Sequence, residues 1–231
     1  MLESIAFIPD GNRRYAKLEG ITLAQSYMAG TNKAWDVIDW LSKYPSITTG
    51  TFYTFSLKNF NRSKTELSVL MKIFEKQLDK VLAKDFLEKK ELKINFIGRR
   101  ENFPKKLQEK MSLVEKKTVD FNTKTINLAL GYDGQTEIVD ATKKFATAVA
   151  KGKVEVDNLS PESFSKYLYA DFKAPDLIVR TSNEYRLSGF LTYQASYSEL
   201  AFIDKYWPQL TQTDVEKVVE DFNTRERRFG K

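Results

Sequence analysis

The sequence predicts an α/β protein whose mainly parallel sheet of six strands is flanked by helices. Short β-branched or aromatic segments alternate along the chain with longer segments whose apolar residues recur at helical spacing. This alternation favours a parallel sheet, because parallel neighbours require crossover connections. The 231 residues contain no repeat, no low-complexity tract and no convincing linker, so we expect a single domain over 1–231.

Each predicted strand is a short apolar run. The first strand, 5–8, ends at Pro9, and the second, 49–55, ends in a polar cluster that begins with Ser56. The remaining strands are predicted at 92–97, 126–130, 176–179 and 200–203. Apolar stripes at three-and-four spacing predict helices at 21–44, 63–87, 105–117, 135–150, 161–169 and 214–227. Ser63 or Thr65 is the expected cap of the helix at 63–87.

Composition limits the chemistry that is open to the chain. It contains no cysteine and no histidine, which excludes disulfides and thiolate metal sites and removes the commonest general base. Carboxylates, arginines, hydroxyls, amides or a hard cation such as Mg²⁺ must then carry any catalysis. The net charge of +6 favours anionic ligands only weakly, because most lysines alternate with glutamates. We expect a soluble cytoplasmic protein, since no apolar run suits a membrane span and no leader is recognisable.

A carboxylate and two arginines follow the first predicted strand, at Asp10, Arg13 and Arg14. Ligands of open α/β sheets bind at the carboxyl ends of strands, and the first amides of a following helix suit an anion. Asp10 could therefore hold a divalent cation that carries a diphosphate, with the arginines beside it. The same residues also fit an ordinary Pro-Asp-Gly turn with solvated arginines, and this stretch alone favours the turn.

Further arginines follow other predicted strands. Arg62 comes after the second strand, and Arg180 and Arg186 come after the fifth. Arginine binds phosphate oxygens through two parallel hydrogen bonds. Four converging arginines could therefore hold two diphosphates, namely Arg14, Arg62, Arg180 and Arg186. Surface arginines paired with glutamates would give the same pattern. The chain lacks both Gly-x-Gly-x-x-Gly and a Gly-rich stretch before Lys-Ser/Thr, so the usual nucleotide-binding signatures are absent.

Several ordered blocks resemble the cis-prenyltransferase family of the undecaprenyl diphosphate synthase type. The segment 7–16, Phe-Ile-Pro-Asp-Gly-Asn-Arg-Arg-Tyr-Ala, is similar to the family's Asp-Gly-Asn-x-Arg-Trp-Ala block. The segment 53–62, with Glu66 downstream, resembles the second block, and 176–199 resembles the last large block. The likeness runs from about Ile5 to Gly230.

The resemblance implies a head-to-tail condensation of isopentenyl diphosphate with an allylic prenyl diphosphate. The product would be a cis-polyprenyl diphosphate, a lipid carrier precursor. By likeness, Asp10 would hold Mg²⁺ on the allylic diphosphate, and Glu199 is a second possible metal contact. Further residues of the same block would help to bind that diphosphate, namely Gly11, Asn12, Arg13 and Arg14. Isopentenyl diphosphate would be bound by Arg62, Arg180, Arg186 and Ser188. The positions tied to catalysis or proton removal are Ser56 and Asn59.

The resemblance also implies an apolar tunnel and an assembly. Met71, Phe74 and Leu78 could line a tunnel for the growing chain, although ordinary core packing explains each of them at least as well. Family members usually dimerise, so we expect a homodimer in which Arg228, in an Arg-x-Gly-like tail, reaches the partner's active site. The product would be delivered to a membrane. Nucleic acid is not an expected partner, because no recognised motif or basic stripe is present.

Some positions depart from the family pattern and keep other functions open. Leu23 and Tyr27 stand where bacterial members carry an arginine and a histidine, which favours a short-chain or atypical transferase with a changed primer or acceptor. Ser182-Asn183 replaces a Gly-Gly pair, which leaves the shape of the following loop open. A non-catalytic partner subunit is a further alternative, but such subunits tend to lack the aspartate and arginines present here.

Overall fold

One parallel sheet organises the protein. The computed structural model describes residues 1–83 and 90–225. The strands are β1 (Ser4–Ile8), β2 (Thr49–Ser56), β3 (Leu92–Ile97), β4 (Lys124–Tyr132), β5 (Leu177–Thr181) and β6 (Glu199–Ile203). They lie in the order β3-β4-β2-β1-β5-β6, and every neighbouring pair is parallel. The predicted α/β fold with six strands is therefore confirmed.

Helices connect the strands and cover the sheet. In the described residues they are α1 (Asn12–Leu18), α2 (Leu23–Leu41), α3 (Lys64–Leu82), α4 (Lys105–Thr118), α5 (Gly134–Ala150), α6 (Pro161–Ser165) and α7 (Gln212–Thr224). The helix predicted at 63–87 ends at Leu82, because Ala83 takes an extended backbone conformation. Residues 84–89, and 226–227 of the last predicted helix, lie outside the described residues.

Side-chain caps fix where several helices begin. Ser63 is the cap of α3, where its hydroxyl accepts a hydrogen bond from the Glu66 N–H at 3.2 Å. Thr22 caps α2 in the same way, and the Gln25 side-chain oxygen accepts a hydrogen bond from the Thr22 N–H. Such caps satisfy amides that have no partner within the helix. They place the first turns of α2 and α3 beside the carboxyl ends of the strands.

The two faces of the sheet bury different sets of side chains. One face carries the larger core, in which Phe7 stacks on Phe52 with ring centroids 5.2 Å apart and Trp207 packs against both. The Trp207 indole N–H donates to the Gly30 carbonyl of α2 at 2.7 Å, so this helix is held against the sheet. The opposite face buries a smaller cluster that includes Ile178 and Phe190. The larger core is the one that encloses an apolar cavity.

Because all six strands are parallel, their carboxyl ends meet at one edge of the sheet. Ile8 at the end of β1 pairs in register with Arg180 of β5. The residues after both strands are thereby brought side by side. No helix in the described residues is long and apolar enough to cross a membrane.

Candidate active site

The backbone of Asp10 is fixed by two neighbouring segments. Its N–H donates to the Thr181 hydroxyl at 2.9 Å, and the same hydroxyl lies 3.0 Å from the Asp10 carbonyl. That carbonyl also accepts a hydrogen bond from the backbone N–H of Trp207 at 2.9 Å. The end of β5 and the turn at Trp207 therefore set the position of Asp10 at the sheet edge.

The Asp10 carboxylate is surrounded by donors. Its Oδ2 accepts from Arg180 Nη2 at 2.8 Å, and its Oδ1 accepts from Arg14 Nη2 at 3.3 Å and from the Gly11 N–H at 2.6 Å. Burial raises the pKa of Asp10, but the hydrogen bond and charge of Arg180, with the Gly11 N–H and Arg14, outweigh it and leave the pKa below its ordinary value. Asp10 is thus ionised at neutral pH, as a cation ligand must be.

Arg180 joins Asp10 to the loop that follows β5. Its side chain is 5% exposed, and its Nη1 donates to the Ser188 hydroxyl at 2.9 Å and to the Arg186 carbonyl. The Arg186 guanidinium is more exposed and pairs with Glu184, which also binds Arg14 Nη1 at 2.9 Å. The predicted residues around Asp10 and after β5 therefore form one connected network.

The Ser182-Asn183 pair keeps a glycine-like loop shape. Ser182 and Asn183 have φ angles of 79° and 53°, in the left-handed region that glycine adopts readily. The Ser182 N–H donates to the Lys205 carbonyl at 2.8 Å, which holds this conformation. The loop before Glu184 is therefore ordered against its neighbours.

A second group of charged residues lies at a polar cavity of about 620 Å³, which Asp10 also lines. Arg62 Nη1 lies 3.1 Å from Glu66 Oε1, and Arg13 Nε lies 3.9 Å from the same oxygen. Leu23, the apolar residue that stands in place of an arginine, also lines this cavity. Its lining is Pro9, Asp10, Gly11, Asn12, Arg13, Arg14, Lys17, Leu23, Tyr27 and Arg62.

An apolar cavity of about 150 Å³ adjoins the polar one. Pro9, Asn12 and Tyr27 line both cavities, so the two meet at this point. Phe74 and Leu78 line the apolar cavity, in agreement with the tunnel interpretation, whereas Met71 packs against the core outside this lining. An apolar group attached to a diphosphate would fit across the junction.

Two predicted site residues are not brought to Asp10. Glu199 begins β6 opposite Leu177, so it lies at the amino edge of the sheet, and its carboxylate contacts Arg225 Nη1 at 3.1 Å. Parallel strands place their amino ends on the edge away from Asp10. Arg228 lies outside the described residues.

Ser56 and Asn59 lie together at the carboxyl end of β2. The Ser56 N–H donates to Asn59 Oδ1 at 3.1 Å. Neither residue lines the two cavities. Their predicted part in catalysis stays a prediction.

The carboxylate oxygens of Asp10 are ligands that suit a hard cation. Asn12 Oδ1 is buried and has no hydrogen-bond partner among the described residues. No group of three or more acidic side chains that could hold a metal occurs in the described residues. Mg²⁺ is usually held by one or two carboxylates, waters and substrate phosphates, so a single ionised aspartate fits it.

Sequence reasoning missed the residues that hold Asp10 in place. Thr181 and Trp207 bind the backbone of Asp10, and Gly30 lets α2 approach, since a Cβ there would lie 2.2 Å from Asn12 Oδ1. The position of Thr181 next to Arg180 at a strand end is the sequence feature that could have indicated its contact with Asp10. No pattern in the sequence links Gly30 to Asn12, because their contact depends on helix packing.

The fold and the site are typical of an α/β protein that binds an anionic ligand, and comparisons with known proteins identify its family. Residues 8–230 match the family model described as "Putative undecaprenyl diphosphate synthase". A tritrans,polycis-undecaprenyl-diphosphate synthase (geranylgeranyl-diphosphate specific) of Methanocaldococcus jannaschii is 39% identical over 230 residues, which cover 98% of this chain and 82% of the relative. An isoprenyl transferase of Fusobacterium nucleatum is 39% identical over 226 residues, which cover 98% of this chain and 94% of that relative.

A solved structure is similar over the whole chain. It is lavandulyl diphosphate synthase from Lavandula x intermedia in complex with dimethylallyl diphosphate, with a TM-score of 0.92 and 29% identity, and the match covers 100% of this chain and 98% of the lavender enzyme. The chain belongs to the undecaprenyl diphosphate synthase family and is a prenyltransferase. The predicted family and enzyme class are confirmed.

Gly11 allows the loops after β1 and β5 to pack closely. Its φ is +97°, and a Cβ there would lie 2.0 Å from the Ser182 hydroxyl. We expect Gly11→Ala to lower the free energy of unfolding in urea by about 1–3 kcal/mol more than Gly20→Ala does. Gly20 is the matched control, because its φ is +62° and a Cβ there meets nothing within 4 Å. Equal losses in the two variants would contradict the close packing at Gly11.

Proposed function

We propose that this prenyltransferase condenses isopentenyl diphosphate with an allylic prenyl diphosphate to give a cis-polyprenyl diphosphate, a lipid carrier precursor. The observation that carries the proposal is an ionised Asp10 between Arg14 and Arg180, next to the junction of a polar and an apolar cavity. The names of the relatives support it, and so does the dimethylallyl diphosphate bound in the lavender enzyme.

Asp10 is the proposed ligand of Mg²⁺, and Asn12 is proposed to assist it. The bound cation would neutralise charge on the leaving diphosphate. Arg13, Arg14 and the Gly11 turn line the polar cavity and are proposed to bind the allylic diphosphate. Preorganised positive charge at the leaving group is the kind of stabilisation expected to lower the barrier most.

Arg62, Arg180, Arg186 and Ser188 are the proposed residues for isopentenyl diphosphate. Arg180 and Asp10 are paired in the structure, so a phosphate oxygen must replace the carboxylate on that guanidinium. In the reaction, the allylic carbon–oxygen bond breaks, a carbon–carbon bond forms to isopentenyl diphosphate, and a proton is lost. Ser56 and Asn59 are the proposed residues for catalysis or proton removal.

Several wider features are proposed from the family resemblance. The chain would act as a single catalytic domain over 1–231 and as a homodimer in which Arg228 reaches the partner's site. It would work in the cytoplasm, with peripheral delivery of the product to a membrane.

A second candidate is a short-chain or atypical transferase with a changed primer or acceptor. An apolar cavity of about 150 Å³ is the size that binds a benzene molecule, so it suits a single prenyl group better than a polyprenyl chain. Leu23 lines the polar cavity without offering a charge to the diphosphate. The small dimethylallyl group in the lavender enzyme also favours this candidate.

Turnover is the first test of the proposed function. Purified protein is incubated with labelled isopentenyl diphosphate, Mg²⁺ and a panel of allylic primers. The prenyl products are then separated by chromatography, and their masses are determined by mass spectrometry. We expect extension of at least one primer, and Asp10→Ala should lower kcat by about a hundredfold or more, because it removes the ligand that holds the cation at the leaving group. The exposed Asp157→Ala is the control and should retain full activity. Absence of product with every primer, or full activity of Asp10→Ala, would refute the proposal.

Product length separates the two candidates. The cavity entrance lies near β1, and Met111 of α4 lies with Phe96 of β3 at its far end, under the edge of the sheet. We expect Met111→Ala to shift the products toward longer chains, because the far wall recedes. Leu113→Ala is the matched control on the same helix, where the side chain is 42% exposed. If wild type already makes long polyprenyl products, the short-chain candidate is wrong.

A further inference from the structure

Tyr27 lies where the polar and apolar cavities meet. It is on the second turn of α2, it is buried, and its side chain lines both cavities. The residue stands where bacterial members of the family carry a histidine. A prenyl diphosphate bound across the junction would therefore contact Tyr27 with both of its parts.

The Tyr27 hydroxyl has a defined hydrogen-bond direction. It donates to Glu66 Oε1 at 2.5 Å and accepts from Arg62 Nη1 at 2.9 Å. Burial and the hydrogen bond to Glu66 raise the pKa of Tyr27 above its ordinary value, so the hydroxyl keeps its proton. The lone pairs therefore face Arg62.

Arg62 is held by one edge of its guanidinium. Nη1 contacts both the Tyr27 hydroxyl and Glu66, and the guanidinium lies 5.8 Å from the centre of the Tyr27 ring. Within the described residues, no hydrogen bond engages its Nε or Nη2. Two neighbouring N–H groups are thus available to the polar cavity, the arrangement that binds a phosphate through two parallel hydrogen bonds.

We propose that Tyr27 is a positioning residue that holds Arg62 with its free edge toward the substrate diphosphate. The proposal rests on the proposed function. Without the hydroxyl, Arg62 would lose a partner and turn further onto Glu66, the anion nearest to it. Loss of a hydrogen bond to a charged group weakens diphosphate binding by about tenfold.

A double-mutant cycle tests this role without turnover. The affinity for inorganic pyrophosphate is measured by calorimetry in metal-free buffer for wild type, Tyr27→Phe, Arg62→Gln and the double variant. We expect Tyr27→Phe to bind about tenfold more weakly than wild type, and to have less than about a twofold effect when Arg62 is already replaced, because contacting residues couple. The control Tyr44→Phe, just beyond the other end of α2, should bind like wild type.

Two further measurements complete the test. Tyr27→His should recover most of the affinity, since a neutral imidazole offers one donor and one acceptor. In the turnover assay, Tyr27→Phe should raise KM for the diphosphate substrate more than it lowers kcat. Wild-type affinity in Tyr27→Phe, or effects that multiply in the double variant, would overturn the role of Tyr27. Failure of turnover in wild type would overturn the proposed function instead.

Discussion

The ion pair between Asp10 and Arg180 is the interaction on which the site depends. Arg180 is 5% exposed and Asp10 28% exposed, so loss of the Asp10 carboxylate would leave a buried guanidinium without its counter-charge. The pair forms because parallel strands place the end of β1 in register with Arg180. A substrate phosphate and Asp10 are both anions, so they compete for this guanidinium. Under the proposed function, phosphate binding to Arg180 releases the carboxylate for a cation, and the two binding events are coupled.

The two faces of the sheet supply different halves of the site. Side chains alternate along a strand, so Arg180 shares the face of Ile178, while Val179 belongs to the larger core on the other face. The apolar cavity lies in that larger core, below α2 and α3. Asp10 lies at the carboxyl edge of the sheet, where it pairs with Arg180 and also lines the polar cavity. The buried Arg180 thus lies on the opposite face from the apolar cavity, whereas the polar cavity meets the apolar one at Pro9, Asn12 and Tyr27.

Local patterns predicted most of the fold and part of the site. Every strand and the Ser63 cap follow from short-range features, and the arginines after strands were recognisable because parallel strands share a carboxyl edge. Glu199 directly precedes the strand predicted at 200–203, so the same rule already places it at the opposite, amino edge of the sheet. The bonds of Tyr27 to Arg62 and Glu66 join residues on α2, in the turn after β2 and on α3, so only packing reveals them.

Binding of a metal–diphosphate complex at Asp10 tests the central claim most directly. Electron paramagnetic resonance can follow Mn²⁺, as a stand-in for Mg²⁺, with inorganic pyrophosphate and either wild type or Asp10→Asn. The account predicts that wild type binds Mn²⁺ with pyrophosphate and that Asp10→Asn binds it at least about tenfold more weakly, which corresponds to about 1.4 kcal/mol. Equal Mn²⁺ affinity in the two proteins would contradict the assignment of Asp10 as the cation ligand.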